Sequence, residues 1–362
     1  MQNPFASIGP IGTPDEWPRP YGRVASAVLR PASVAWGAVM RLRRLAYESG
    51  LISRTKPACR VVSIGNLSAG GTGKTQVVAF LLREAALLGV KAAAVSGGYG
   101  GSVRGSGVVE LVTAFGDPAR FGDEAVMLAG MHPDTPVYVG RDRAGACMAA
   151  CRDSGVGLCI LDDGAQHLGV ARDADVFVVD PESPFGNGLC LPAGPLRELP
   201  SAMAGAGFVW FAGSAPGRSF DGAAVMVRRH APGARMIFST SRPAFLKNSP
   251  GGAHLPLELV QGKRVLAFCA IGRPHRFKRT VESLGPSAVD FIAFRDHHVF
   301  TPVDIAGIKE RARKMDAAMI VTTTKDHARL FRRHQAEFDY TVLHTLIEIV
   351  SGQDAVRAIL TG

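Results

Sequence analysis

Residues 61–75, VVSIGNLSAGGTGKT, constrain the fold more than any other part of this chain. A β-branched run enters a glycine-rich turn ending in Gly73, Lys74 and Thr75, and an apolar-periodic stretch to Leu88 follows. Glycines let successive backbone N–H groups turn inward around phosphate oxygens, and the helix that follows adds the partial positive charge of its N-terminus. In that arrangement Lys74 reaches β- and γ-phosphates and the Thr75 hydroxyl binds Mg²⁺. Ser68, Ala69, Gly70, Gly71, Thr72, Gly73, Lys74 and Thr75 are therefore expected to cradle a nucleoside triphosphate. Ser68 stands where the pattern GxxxxGK[ST] has its first glycine, so the strand before and the helix after carry the assignment.

Two subclasses are tested by single positions. Ala69 stands where partition and ion-pump ATPases of the KGGxGKT type carry a second lysine, which counts against them. The segment Thr324-Lys325-Asp326-His327 lacks the last aspartate of the guanine-reading [NT]KxD pattern, so ATP is expected over GTP.

The surrounding pattern predicts an α/β fold. Strands are expected at 61–64, 92–95, 108–113, 136–139 and 158–161, alternating with helices at 74–88, 123–129 and 143–151, which implies a mainly parallel sheet covered on both faces. Apolar runs at 176–179 and 208–211 extend it. VMVRRHAPGARMIFST, from residue 225, reads as a hairpin turning at Pro232 and Gly233. A second alternating set, 265–271, 291–294, 319–323 and 340–343, predicts a smaller α/β domain. The 362 residues fit two domains at roughly 150 residues each. The expected division is an amino-terminal arm and helix over 1–57, a phosphate-loop domain over 58–212, a hairpin linker over 213–256 and a smaller domain over 257–362.

The amino-terminal arm is rich in Pro and Gly. Pro31 can open a helix to about Glu48 that mixes Val34, Trp36, Val39, Leu42 and Leu45 with Arg30, Arg41, Arg43 and Arg44. Such a helix either lies in an anionic headgroup layer or packs on the next domain. The net charge of +10, from 41 Lys+Arg against 31 Asp+Glu, favours an anionic partner: phosphate, nucleic acid or an acidic membrane face. The basic residues are dispersed, and neither a helix-turn-helix nor a base-stacking motif accompanies them, so nucleic acid is not expected. No secretory leader and no run of about 18 apolar residues is read from the chain. Six cysteines form no CxxC pair and no metal-ligand spacing, so neither zinc nor a redox dithiol is expected.

Acidic and basic residues cluster in short motifs. Asp162 and Asp163 end the apolar strand of LCILDDGAQH, where a parallel sheet presents ligand-binding groups. One such carboxylate holds Mg²⁺ in phosphate-loop enzymes, and a second can position the acceptor. Asp123 and Glu124 open a helix. Asp123 reads either as an N-cap or as a general base, with Glu124 either in the first turn or near the metal. Asp296, His297 and His298 lie between Phe294 and Phe300. Arg197 can clamp a phosphate or pair with Glu198 on the surface.

In their order along the chain, GNLSAGGTGKT, SGGYGG, FGDEA, LDDGAQH, ARDADVFVVD, FGNGLCLPAGPLRE, FCAIGRPHRF, FRDHHVFTP and TTTKD resemble one family, the tetraacyldisaccharide 4'-kinases of lipid A biosynthesis. The resemblance implies a P-loop NTPase-like α/β/α domain with a mainly parallel sheet, a second, smaller α/β/α domain, and a two-stranded linker. It also implies transfer of the ATP γ-phosphate to the 4'-hydroxyl of a tetraacyldisaccharide 1-phosphate, with Mg²⁺, at the cytoplasmic face of the inner membrane. The implied roles are Asp123 as base with His297 as its partner, Asp162 and Asp163 on acceptor or metal, and Thr75 and Glu124 on the metal. Tyr99, Arg143, Gln166 and Arg197 are then expected on the anionic glycolipid.

One departure from the family's SRGYGR is that Gly97 and Gly101 replace both arginines, which leaves Arg104, Arg141 or Arg143 to compensate. With four acyl chains on the acceptor, the enzyme goes to the bilayer, and the helix at 31–48 is expected to be its peripheral anchor. A kinase for a soluble sugar or nucleoside, and a non-catalytic ATP-driven switch, are the rival readings.

Overall fold

The computed structural model describes residues 23–113, 116–214, 219–249, 252–334 and 338–362. In chain order the first part contains α1 (Arg23–Glu48), β1 (Arg60–Gly65), α2 (Lys74–Leu87), β2 (Ala92–Ser96), α3 (Val103–Ser106), β3 (Glu110–Val112), α4 (Pro118–Phe121) and α5 (Asp123–Met131). It continues with β4 (Val137–Val139), α6 (Arg143–Ser154), β5 (Leu158–Asp162), β6 (Ala174–Val179), β7 (Phe208–Ser214) and α7 (Asp221–Arg228). The remainder is β8 (Arg235–Ser249), β9 (His254–Leu255), β10 (Arg264–Cys269), α8 (Pro274–Glu282), β11 (Ala288–Ala293), α9 (Pro302–Lys314), β12 (Met319–Thr323), α10 (Thr324–His334), β13 (Tyr340–Ser351) and α11 (Gln353–Thr361).

The strands form one sheet in the order β11-β10-β12-β13-β8-β7-β6-β1-β5-β2-β4-β3, with β9 on β8. Pairing is parallel except at β13–β8, β8–β9 and β3–β4. β1 runs between β5 and β6. The carboxyl ends of β1 and β5 therefore deliver the glycine-rich loop and the acidic pair to the same edge, where parallel sheets bind ligands. Both strands are buried almost throughout, which is why they read as continuous apolar runs rather than alternating ones.

Helices α2, α5 and α11 cover one face through Val77, Val78, Leu81, Leu128 and Ile359, and α6 covers the other through Ala146, Cys147 and Ala150. Each fully buried aliphatic or aromatic side chain here contributes about 1.5–3 kcal/mol. Around β10, separate clusters centred on Phe268 and on Val265 and Val321 form the core of the second α/β part. The long strands β8 and β13 pair antiparallel from Tyr340↔Ser249 to Ser351↔Phe238 and form the two-stranded connection between the halves.

Two expectations are corrected, and one covalent link was not anticipated. Residues 225–240 are not a hairpin: α7 buries Ala223 and Val227, and β8 then pairs parallel to β7. A parallel neighbour requires a crossover, and α7 is that crossover. The first helix begins at Arg23, so Pro31 lies inside it instead of opening it. Cys59 and Cys151 are joined by a disulfide across 92 residues of sequence, and the Cys159 sulfur lies 3.3 Å from that of Cys59. The register pairing Val61 with Cys159 brings these sulfurs together, which motif spacing does not reveal. The amino-terminal arm expected over the first residues lies outside the described part up to residue 22.

Candidate active site

The glycine-rich loop is fixed from within and from outside. Gly73 adopts φ +89° as the N-cap of α2, a left-handed conformation that other residues enter at a cost. Asn66, fully buried, donates to the Ser68 carbonyl at 2.8 Å and to Thr72 Oγ1 at 2.9 Å, and its Oδ1 accepts Lys74 Nζ at 3.1 Å. The segment after residue 190 holds the loop from outside: Ala69 N–H donates to the Pro195 carbonyl and Arg197 N–H to the Leu67 carbonyl. At Gly65 a Cβ would lie 2.3 Å from the Ala165 Cβ, so this strand end packs directly on the turn that carries the acidic pair.

Asp162 is 2% exposed. Its Oδ2 accepts the Thr75 hydroxyl at 3.2 Å, and its Oδ1 is buried without a hydrogen-bond partner. Burial, then the nearby Glu124 carboxylate, pushes its carboxyl up to about 7. Asp163 takes φ +58°, a backbone strain of a kind that clusters at functional sites. Arg197 Nη1 contacts both of its carboxylate oxygens at 2.8 Å, and Lys74 Nζ lies at 3.4 Å. Burial alone would raise Asp163, but the Lys74 and Arg197 charges bring it down to about 2.

Gln166 donates to the Asn66 carbonyl at 3.1 Å and to Glu198 Oε1 at 3.0 Å, while Glu198 pairs with Arg44 of α1 at 2.9 Å. Arg197 thus binds Asp163 instead of forming a surface pair with Glu198. Trp36 Nε1 donates to the Arg197 carbonyl at 3.0 Å. Helix α1 is therefore docked against the site through Ser33, Trp36, Arg43 and Arg44. Val34, Val39, Leu42 and Leu45 on the same helix remain exposed.

The second half contributes the other wall. Asp123, buried at the start of α5, accepts His297 Nδ1 at 3.1 Å across 174 residues of sequence. Its Oδ2 also accepts Arg329 Nε at 2.8 Å and Arg329 Nη2. Glu124 accepts Lys325 Nζ at 3.2 Å, and that nitrogen lies 3.4 Å from His297 Nε2. Burial would raise the Asp123 carboxyl, but the His297 hydrogen bond and the Lys325 and Arg329 charges hold it well below the usual range. Burial works against the Lys325 ammonium, and the Glu124, Asp123 and Asp296 carboxylates more than offset it. The Tyr99 ring meets His297 edge-on at 5.5 Å.

Gly97 has a structural consequence of its own. A Cβ there would lie 2.1 Å from Arg143 Nη2, so the Arg143 guanidinium occupies the space a side chain would take. Arg143 bonds the Gly140 carbonyl and lies 3.3 Å from His167 Nε2, and its Nε is buried without a partner. Burial brings it down to about 10. A cleft of about 330 Å³ beside it is lined by Arg43, Arg141, Arg143, His167, Ser53 and Thr55.

The structure brings together Lys74, Thr75, Asp162 and Asp163 on one side and Asp123, Glu124 and His297 on the other. Sequence reasoning assigned no role to Asn66, Lys325 or Arg329. Asn66 lies before the recognised loop, and TTTKD was read as a failed guanine motif and as one of the family's motifs, with no role given to its lysine. The usable signal was the four-residue spacing of Lys325 and Arg329, which puts both cations on one helix face.

Comparisons with known proteins identify the family to which the chain is similar. Residues 25–362 match the family described as tetraacyldisaccharide-1-P 4'-kinase. A tetraacyldisaccharide 4'-kinase of Syntrophus aciditrophicus is 37% identical over 328 residues, covering 87% of each chain. One from Anaeromyxobacter dehalogenans is 36% identical over 364 residues, covering 95% of this chain and 92% of the relative. A crystal structure of LpxK from Aquifex aeolicus, described as an "apo" form in complex with ATP, superposes with a TM-score of 0.71 at 24% identity, over 92% of this chain and 98% of that one.

Proposed function

The chain belongs to the tetraacyldisaccharide-1-P 4'-kinase family, and we propose from that premise how its own residues carry out the family's reaction. It is a lipid A 4'-kinase, phosphorylating the 4'-hydroxyl of a tetraacyldisaccharide 1-phosphate. ATP is the donor in this reading. The backbone amides of residues 68–75 and the Lys74 ammonium take its β- and γ-phosphate oxygens, so that Lys74 exchanges Asp163 for phosphate.

Thr75, Asp162 and Glu124 would hold Mg²⁺. The unpartnered, buried Asp162 oxygen beside a hydroxyl and a second carboxylate is the hard-oxygen set that such an ion requires. When bound, Mg²⁺ neutralises charge on the transferring group.

A sugar hydroxyl is a poor acid, so a carboxylate within hydrogen-bond reach must receive its proton. Asp123 does so through Oδ1, because Oδ2 is filled by Arg329 and His297 whereas Oδ1 accepts the Glu124 amide and keeps a second lone pair. Arg197, which also donates to Gln166 Oε1, holds Asp163, which orients the acceptor. Tyr99 and Arg143 line the path of the glycolipid, with Arg143 standing in for the arginine absent at Gly97. Helix α1 meets the bilayer with Val34, Val39, Leu42 and Leu45, as a peripheral contact on the cytoplasmic face of the inner membrane. No helix among the described residues is long and apolar enough to cross a membrane. Residues 58–212, completed by α11 of the carboxyl terminus, and the part built around β10 act as two domains around the site, with β8 and β13 joining them.

The observation that carries this reading is the convergence of Asp123 and His297, from opposite halves of the chain, beside the loop that ends in Lys74 and Thr75. The test is incubation with labelled ATP, Mg²⁺ and the disaccharide 1-phosphate in detergent. A product with one added phosphate at the 4'-position supports it. ATP turnover without a phosphorylated acceptor would favour the switch module, and labelling of soluble sugars alone would favour the other kinase reading.

A further inference from the structure

We propose that Arg329 is a positioning residue for phosphoryl transfer: from α10 it fixes the Asp123 carboxylate so that Oδ1 is the atom presented to the acceptor hydroxyl. The inference rests on the kinase reading above and assigns a role to a residue that no motif singled out.

Asp123 is not fixed by its own helix. It is the first residue of α5, preceded by Gly122 at φ +85°, and its side chain makes one local bond, Oδ1 to the Glu124 amide. That bond lies next to the rotatable Cβ–Cγ axis and leaves Oδ2 to be set by something else.

Arg329 supplies that constraint. Nε and Nη2 both donate to Oδ2, and the guanidinium is itself immobilised, since Nη1 donates to the Ala270 carbonyl at 2.7 Å and to Asp326 Oδ1 at 3.1 Å. Asp326 is fully buried and is pinned in turn by the Ala270 amide at 3.1 Å and the Thr323 hydroxyl at 2.6 Å. A rigid chain of hydrogen bonds thus runs from the ends of β10 and β12 to the carboxylate. A planar guanidinium can serve three acceptors at once in fixed directions, which an ammonium cannot do.

One turn earlier, Lys325 takes Glu124, so α10 grips both acids of the GDE motif. His297 gives Oδ2 a third donor, from a residue at φ +60°. The consequence is that the base has its working orientation when α10 is docked on α5. The half of the chain that lacks the phosphate loop then controls whether the proton acceptor is aligned.

The test compares wild type, Arg329→Met, Arg329→Lys, Asp123→Asn and the double variant Asp123→Asn/Arg329→Met, in the detergent assay with the disaccharide acceptor. Thermal melting and ATP binding are measured on each. Arg329→Met is expected to lower kcat by about 10²-fold, the loss that follows a misplacement near 1 Å, with KM for ATP within about twofold of wild type. Arg329→Lys restores part of that loss. The double variant is no slower than Asp123→Asn alone, because a base that has been removed cannot be misplaced.

Multiplying losses in the double variant, a kcat within about threefold of wild type for Arg329→Met, or a fall in ATP affinity that matches the fall in rate would each overturn the proposal. A melting temperature so low that both Arg329 variants are unfolded would also overturn it, by making Arg329 a structural residue. If the wild type forms no 4'-phosphorylated product, the kinase reading fails and this inference with it. A wild-type turnover left unchanged by Arg329→Met refutes the Arg329 role alone.

Discussion

Replacing Asp162 by Asn should stabilise the nucleotide-free protein while abolishing its activity. Asp162 is wholly buried, one of its oxygens has no partner, and burial with the Glu124 charge raises its carboxyl from an ordinary 3.8 to about 7. For an acid whose folded value is raised, the stabilising protonated form is present below about pH 4 and is lost as pH rises through 7. At pH 8 the ionised side chain therefore opposes folding, with a ceiling of about 4 kcal/mol at about 1.4 kcal/mol per pH unit. An asparagine leaves a buried amide incompletely bonded, at about 1–3 kcal/mol. The net gain expected at pH 8 is thus about 1–3 kcal/mol, and it disappears near pH 5, where the folded Asp162 is mostly protonated and the remaining penalty of about 1–2 kcal/mol is offset by the cost of the amide. The assay is thermal melting with chelator at pH 5 and pH 8, repeated with Mg²⁺ and ATP. Mg²⁺ with ATP should raise the melting temperature of wild type well above that of the variant, reversing their order. An Asp162→Asn protein less stable than wild type at pH 8 in chelator, or one still stabilised by Mg²⁺ as strongly as wild type, would refute the reasoning.

Three further outcomes are expected. Asp123→Asn lowers kcat with little change in ATP affinity; a matching loss of ATP binding would move Asp123 to the metal shell. Gly97→Ala places a Cβ 2.1 Å from Arg143 Nη2, so it should raise KM for the disaccharide severalfold while leaving KM for ATP unchanged, and an unaltered acceptor KM would remove Arg143 from the glycolipid path. Replacing Val34, Val39 and Leu42 together by Ser, which leaves the docked side chains of α1 intact, should reduce flotation with anionic vesicles, and undiminished flotation would show that this face does not hold the membrane.

The sequence was most legible where structure is decided locally. The glycine-rich loop, the strand before it and the acidic pair at the end of β5 each depend on conformations and burial patterns that a short window encodes, such as Gly73 in the left-handed region. The same window failed at residues 225–240, where Pro232 and Gly233 suggested the turn of a hairpin. The deciding fact was that β8 pairs parallel to β7, a property of the whole sheet. Asn66, Arg329 and the Cys59–Cys151 pair were missed for a related reason. Arg329 and the two cysteines acquire their partners through tertiary approach, across 206 and 92 residues of sequence, whereas Asn66 bonds within its own loop at a position the phosphate pattern does not name.

The two walls of the site share one electrostatic design. Lys74 and Arg197 are paired with Asp163, while Arg329, His297 and Lys325 are paired with Asp123 and Glu124. Positive charge at the centre is thus held on carboxylates at hydrogen-bond distance, in a form that a phosphorylated ligand can take over by exchange. Asp162 is the exception, since one of its buried oxygens has no hydrogen-bond partner. An ion that satisfied Asp162 and Glu124 would weaken the hold of Lys325 on Glu124, whereas the Arg329 grip on Asp123, anchored through Asp326, would persist. The base would then remain aligned while the metal site adjusts. Losses from Glu124 and Asp162 substitutions should accordingly couple to each other, and both should add to the loss from Arg329→Met, because only the first two share a ligand.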